Sequence, residues 1–165
     1  MNQVWLKQRR FYIDALIYTK QPFGGVYMLF DKFMDKSGDY LYVLFRVLVG
    51  LLFAQHGAQK LLGAFGGVDG SGGAVALISL MGLAGFIEFI GGLAVAVGFF
   101  TRLAAGISSL EMLIAHIMAH ASNGFFPIVN KGELALLYFA AFLAIAVLGS
   151  RKWSLERALL KKEHF

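Results

Sequence analysis

The chain has 165 residues, enough for one domain, and 58% of them are hydrophobic while only 15% are charged. A soluble domain of this size could not bury so much apolar surface, so the composition indicates a membrane protein. The absence of cysteine excludes disulfides and iron–sulfur clusters held by thiolates of this chain. The net charge of +5 does not indicate nucleic-acid binding, because the basic residues lie at the chain ends beside apolar segments, where membrane topology accounts for them.

The first 40 residues are more polar than the rest of the chain. After Pro22, the stretch VYMLFDKFMDK places its apolar residues at helical spacing and its charged residues on the opposite face. This pattern predicts a short amphipathic helix that lies on the membrane surface or against a partner protein. We therefore expect residues 1–40 to be an interfacial extension that binds other membrane or peripheral subunits.

Four apolar stretches follow, each near the roughly 20 residues that cross a bilayer as a helix. They cover residues 41–63, 76–100, 102–121 and 133–149. A glycine-rich loop separates the first two, a tight link at Thr101 joins the next two, and a turn with Pro127 precedes the last. The predicted fold class is an all-α membrane protein. Its four-transmembrane-helix bundle occupies residues 41–150 and follows the N-terminal amphipathic interfacial segment.

Lysine and arginine are concentrated before the first apolar stretch and after the last, in a basic tail of residues 151–165. With four spans, both termini lie on the same side of the membrane. The positive-inside rule assigns that side to the cytoplasm. We therefore expect a multi-pass protein of the plasma membrane, embedded in the lipid bilayer, with both termini cytoplasmic.

Ionisable residues inside the predicted spans form a central layer. Glu88 lies at the centre of the second span and Glu111 at the centre of the third, within reach of Arg46 from the first. Small residues share the helix faces of both glutamates. Such faces contact other helices in membranes, so both glutamates should point into the bundle. An unpaired carboxylate at this depth costs roughly 2.5–3.5 kcal/mol, so Glu88 should be paired with Arg46 or protonated.

An outer layer contains His56 and Lys60, which share one face of the first span because they are four residues apart. Lys60 alone would extend to the membrane surface, as long basic side chains commonly do. His56 lies deeper, and together with Gln59 it forms a hydrogen-bonding surface that a ligand could contact. The same groups could equally serve helix packing.

The remaining outer residues are His116, His120 and Glu133. The two histidines are four residues apart, a spacing that suits contact with a quinone carbonyl or a metal. No other residues complete a metal shell, so no metal site is predicted. Glu133 opens the fourth span, where its negative charge also suits the helix N-terminus.

Several motifs resemble the DoxX family. HGAQKL at residues 56–61, preceded by Arg46 and Gly50, resembles the first-helix signature of that family. The stretch EFIGGLAVAVGFFTR resembles its second helix, KGELALLY the start of its fourth helix, and WSLE its closing stretch. The resemblance covers residues 41–156, and it departs from the family at Glu156. It implies a four-helix membrane protein, similar in some members to small subunits of thiosulfate:quinone oxidoreductase or quinol oxidase complexes.

The residues and the resemblance together predict an integral membrane subunit of a quinone-linked oxidoreductase complex, with quinone as cofactor. Glu88 and His56 are the expected catalytic residues, because carboxyl and imidazole groups move protons. The expected ligand-binding residues are Arg46, Gln59, Lys60, His116 and Glu133. Two other classes stay open: a non-catalytic anchoring or assembly subunit, and a membrane protein that binds a lipid or small molecule.

Overall fold

The structure is a computed structural model that describes residues 24–161, with side chains from residue 31 onward except residue 35. All regular elements in this part of the chain are helices. The chain divides into two units at Gly38, and every tertiary contact given below lies within residues 39–161. The predicted binding of partners by the first 23 residues lies outside the described residues.

The helices are α1 (Gly24–Leu62), α2 (Leu80–Val97), α3 (Thr101–Ala119), α4 (Pro127–Asn130), α5 (Glu133–Leu148) and α6 (Leu155–Leu160). Among the described residues, the three helices α1 to α3 are long and apolar enough to cross a membrane, whereas the apolar helix α5 has only 16 residues. The protein is therefore a multi-pass membrane protein whose regular elements, over residues 24–161, are all helices. The fourth crossing stays a prediction.

Helix α1 is longer than the sequence predicted. The expected amphipathic helix and the first span form one continuous helix of 39 residues. No proline lies between Pro22 and Pro127, so no residue in this segment lacks the backbone N–H that a helix requires. Where its side chains are described, the N-terminal part exposes Phe33 and Met34 as well as Asp31. The docking of an amphipathic face on membrane or partner therefore stays a prediction.

Helix α2 begins later than predicted and contains an irregular turn. Ser79 caps its start, because the Ser79 Oγ accepts a hydrogen bond of 3.0 Å from the Gly82 N–H. Its end follows from Gly98, whose φ of 75° belongs to the left-handed region that terminates helices. Between these ends, residues Ile87–Gly91 form a π turn that includes Glu88. Single π turns inside α-helices occur frequently at functional sites.

Glycines bring α1 into backbone contact with α2. A Cβ on Gly50 would lie 2.5 Å from the carbonyl oxygen of Gly92, and one on Gly57 would lie 2.6 Å from the Cα of Phe89. Side chains at these positions would force the helices apart, which is why small residues mark close helix contacts in membranes. Lys60 lies one turn after Gly57, so this contact brings its side chain to α2.

The apolar core lies where α1, α2, α3 and α5 meet. The ring of Phe53 packs against Phe142 and Tyr138, with centroids 4.6 and 5.2 Å away. Val95 and Ala105 belong to the same cluster, and both are fully buried. The core therefore fixes the mutual rotation of four helices, and Tyr138 links it to the polar residues described below.

The chain after α5 folds back onto the end of the bundle near Gly98. The carbonyl oxygen of Gly98 accepts hydrogen bonds from the Ser154 Oγ at 3.0 Å and from the Glu156 N–H at 3.1 Å. The Glu156 side chain is fully buried. The segment expected to be a basic tail therefore begins with a helix packed against the bundle.

Candidate functional site

An ion pair between Lys60 and Glu88 joins α1 to α2 inside the bundle. Lys60 Nζ donates to Glu88 Oε1 at 2.6 Å and to Oε2 at 2.5 Å. The two side chains are only 15% and 4% exposed. The prediction that Glu88 points into the bundle is confirmed, but the prediction that Arg46 is its ion-pair partner is wrong.

The start of α2 explains this correction. A span beginning at residue 76 would place Glu88 about 18 Å from the outer end of its helix. Because α2 begins at Leu80, Glu88 lies only about 12 Å from that end. Lys60 is near the C-terminal end of α1, which terminates at Leu62. The predicted central and outer layers therefore meet in one group of residues.

Arg46 lies in a different part of the bundle, about 21 Å along α1 from Lys60. It is only 1% exposed, and its guanidinium donates to the carbonyl oxygens of Ser150 at 2.9 Å and Trp153 at 3.0 Å. These bonds attach the segment after α5 to the first helix. Arg46, one of the expected ligand-binding residues, therefore positions the C-terminal segment and lies far along α1 from the Lys60–Glu88 pair.

Glu111 of α3 lies within electrostatic range of the ion pair. It interacts electrostatically with both Glu88 and Lys60. Its Oε2 is buried and has no hydrogen-bond partner in the described part of the chain. A buried carboxyl oxygen without a donor is costly, so this atom requires a proton, a water molecule or a ligand. The sequence placed Glu111 in the central layer, but Glu111 was not among the expected site residues.

His56 and Tyr138 complete the group. Their rings meet edge to face with centroids 5.8 Å apart. His56 interacts electrostatically with Lys60, and Tyr138 with Glu88. Tyr138 was missed as a site residue, and its only sequence signal was its place in the motif KGELALLY.

We call these five residues the polar cluster: His56, Lys60, Glu88, Glu111 and Tyr138. They come from α1, α2, α3 and α5, so the cluster depends on the packing of all four helices. Imidazole, phenol and carboxyl groups can exchange protons and form hydrogen bonds with the oxygens of a ligand. The arrangement can therefore bind a polar group inside the bundle and transfer protons to or from it.

The predicted ligand residue Gln59 instead supports the glycine-rich loop after α1. Its Nε2 donates to the carbonyl oxygen of Gly67 at 2.9 Å. The backbone N–H of Val75 also donates to the carbonyl oxygen of Lys60 at 2.8 Å, which folds the loop back on the helix end. In the same loop, hydrogen bonds from Ser71 lower the pKa of Asp69. The loop therefore covers the end of α1 next to the polar cluster.

The outer histidines hold the turn before α5. The Nδ1 of His116 lies 3.3 Å from the carbonyl oxygen of Gly132, and that of His120 lies 3.1 Å from the carbonyl oxygen of Asn130. Glu133 is exposed in the first turn of α5, where its charge suits the positive end of the helix dipole. The structure therefore assembles His56, Lys60 and Glu88 in one cluster, and it places His116 and Glu133 at the outer turn.

Comparison with known proteins gives a consistent result. The family model of DoxX matches residues 41–121. The chain is 38% identical over 132 residues to an uncharacterized protein of Haemophilus influenzae, covering 78% of this chain and 98% of that protein. It is 30% identical over 129 residues to a Bacillus subtilis protein named "Putative oxidoreductase CatD", covering 78% of this chain and 93% of that one. No solved structure matches the chain significantly. This membrane protein belongs to the DoxX family.

Proposed function

We propose that this protein is an integral membrane subunit of a quinone-linked oxidoreductase complex and that the polar cluster holds the quinone ring. The observation that carries the proposal is the buried Oε2 of Glu111, which has no donor among the described residues. A quinol hydroxyl is a donor that occurs inside membranes. The name of the Bacillus subtilis relative supports the oxidoreductase class.

The polar cluster fits the chemistry of such a ligand. The Tyr138 hydroxyl and a protonated nitrogen of His56 can donate hydrogen bonds to a ring carbonyl, while Glu111 can accept one from a ring hydroxyl. A bound quinone would supply the reversible uptake of electrons and protons. The protein residues would hold and orient the ring and exclude bulk water from it.

Each ionisable residue has a separate role in this proposal. Lys60 balances the charge of Glu88 and fixes its position in the π turn. Glu111 exchanges a proton with the ring through Oε2, the oxygen that has no hydrogen-bond partner among the described residues. As a carboxylate it would accept from a quinol hydroxyl, and as a carboxylic acid it would donate to a quinone carbonyl. His56 transfers a proton between the cluster and the outer side, because it is half-buried and imidazole exchanges protons near neutral pH.

We also propose that both termini are cytoplasmic and that the membrane is the plasma membrane. The contacts at one end of the bundle support an even number of crossings. Asp39 near the start of the bundle forms ion pairs with Arg151 at 3.4 Å and Lys152 at 3.3 Å. Tyr42 donates to the carbonyl oxygen of Gly149 at 2.6 Å. The first residues of the bundle segment and the residues that follow α5 therefore lie at the same end of the bundle. The basic residues at that end suit the cytoplasmic face.

A non-catalytic anchoring or assembly subunit is the second candidate. It is favoured by the ion pair itself, because both oxygens of Glu88 already accept from Lys60. A closed pair of this kind can specify helix packing without any ligand. The two candidates differ in whether Glu111 and His56 contact a bound molecule.

Quinone binding to single-residue variants of the purified protein tests the proposal. We expect His56→Ala and Glu111→Gln each to weaken the binding of decylubiquinone and of a short-chain menaquinone about tenfold. The reason is that a hydrogen bond with a buried group contributes about 1–3 kcal/mol, and each 1.4 kcal/mol is about a factor of ten in affinity. Isothermal titration calorimetry in detergent measures the affinities.

Two matched controls accompany these variants. His120→Ala removes a histidine that contacts His116 and the turn before α5, and Glu133→Gln removes an exposed glutamate. Both should bind the quinones as the wild-type protein does. Wild-type affinity in folded His56→Ala and Glu111→Gln proteins would contradict the quinone site and favour the anchoring role.

A further inference from the structure

A groove between α2 and α3 opens toward the lipid. Its volume of about 320 Å³ lies at the lower end of the range for small-molecule sites. The two helices form its walls with apolar and mostly exposed side chains. The residues that line it include Phe86, Ile90, Ala94, Leu103, Ile107 and Ser108.

Ser108 is the polar residue of this groove. The residue is 0% exposed, and its Oγ has no hydrogen-bond partner in the described part of the chain. A serine inside a membrane helix usually bonds to a carbonyl of its own helix or to another residue. The opposite wall leaves space for the hydroxyl at Gly91, where a Cβ would lie 2.7 Å from the Oγ. The hydroxyl therefore lacks the partner that its burial requires.

The floor of the groove adjoins the polar cluster along both helices. Gly91 closes the π turn that holds Glu88. Ser108 lies one turn before Glu111 on the same helix. A ligand in the groove with a polar end at Ser108 would therefore be next to the two carboxyl groups.

The depth of Ser108 narrows the choice of ligand. It lies about 10 Å from the start of α3 at Thr101. Half of the hydrocarbon layer is about 15 Å thick, so Ser108 is deep among the acyl chains. The polar groups of phospholipids stay at the membrane surface. The ring of a quinone, by contrast, carries oxygens on an otherwise apolar molecule that dissolves in the hydrocarbon layer.

We propose that this groove takes the isoprenoid tail of a membrane quinone and that Ser108 donates a hydrogen bond to a ring oxygen. The quinone then reaches the polar cluster sideways from the lipid, between α2 and α3. This inference rests on the proposed quinone function and adds an entry path and a residue that contacts the ring.

Variants that fill or alter the groove test this inference, with decylubiquinone and the tail-less ubiquinone-0 as probes. Ala94 lines the groove, so Ala94→Phe should weaken decylubiquinone binding about tenfold and leave ubiquinone-0 binding unchanged. Ser108→Ala should weaken the binding of both probes roughly fivefold, because both carry the ring oxygens. Calorimetry on the purified protein in detergent measures both affinities.

The controls are neighbouring residues outside the groove. Leu93→Phe adds the same ring at an exposed position, and Ser109→Ala removes a hydroxyl that donates to the Phe139 carbonyl oxygen at 3.1 Å. Both should retain wild-type affinities. If Ala94→Phe does not fold, Ser108→Ala decides. Wild-type binding of both probes by the groove variants, while His56→Ala weakens binding, would overturn the groove and keep the proposed function. Absence of binding to the wild-type protein would overturn both.

Discussion

Lys60→Met is expected to lower the free energy of unfolding by about 3–5 kcal/mol at neutral pH, because it leaves the carboxylate of Glu88 buried without a counter-charge. Methionine keeps an unbranched apolar side chain at the contact with Gly85, where the Lys60 Cβ lies 2.9 Å from the position of an added Cβ. The decrease in the free energy of unfolding therefore measures the effect of removing the Lys60 charge and not a change in packing. Denaturant unfolding of the protein in detergent measures it.

The variant of the partner residue, Glu88→Gln, should lower the free energy of unfolding by less than Lys60→Met does. In Glu88→Gln the ammonium of Lys60 remains, but its side chain is 15% exposed and near the helix end, so it can turn toward water. The double variant should recover most of the stability, since the two charges are removed together. Lys131→Met removes an exposed lysine and should change stability by less than about 0.5 kcal/mol. A Lys60→Met protein as stable as the wild type would show that Glu88 does not depend on this pair.

Arg46→Met is expected to destabilise the protein by about 3–6 kcal/mol, because it removes the two shorter hydrogen bonds to Ser150 and Trp153, each worth about 1.5–3 kcal/mol for a charged donor. A longer bond of 3.4 Å to the carbonyl oxygen of Ala96 is lost with them. The bonds to Ser150 and Trp153 attach the C-terminal segment to α1. Arg46→Lys should restore little of this, since a lysine cannot present the planar fork of donors. Unfolding in detergent measures the stability, and limited proteolysis after residue 149 detects release of the segment.

Arg102 is the matched control for Arg46. It also donates to two backbone carbonyls, those of Ala146 at 3.0 Å and Val147 at 2.6 Å, but it is exposed. Arg102→Met should therefore cost less than about 1 kcal/mol. Equal costs for the two arginines would contradict the structural role of Arg46. Because Arg46 lies far from the polar cluster, folded Arg46→Met protein should bind quinone with wild-type affinity.

In the sequence, small residues share the helix faces of Glu88 and Glu111. They predicted correctly that the side chain of Glu88, in the second span, points into the bundle. The identity of its partner could not be predicted in the same way. That partner depends on the cap at Ser79, which shortens α2, and on the π turn, which changes the direction of its side chains. The helical periodicity of the sequence reveals neither the cap nor the π turn. An error of four residues in the start of a helix changes the expected depth of its residues in the membrane by about 6 Å.

The loop contacts were also beyond prediction from the sequence. Gln59, His116 and His120 all lie within hydrogen-bond distance of backbone carbonyls in loops or turns. Such acceptors exist at every residue, so no side-chain pattern identifies them. Tyr138 was missed for a related reason. Its approach to His56 depends on the rotation of α5 against α1, which the aromatic core sets.

Photo-crosslinking with an azido-quinone in native membranes is the most direct test of a quinone site at the polar cluster. Peptide mapping by mass spectrometry should place the label on α1 around His56 and on α5 around Tyr138. Excess decylubiquinone should prevent this labelling. Label spread over the lipid-facing side chains and unaffected by the competitor would contradict a quinone site in this protein.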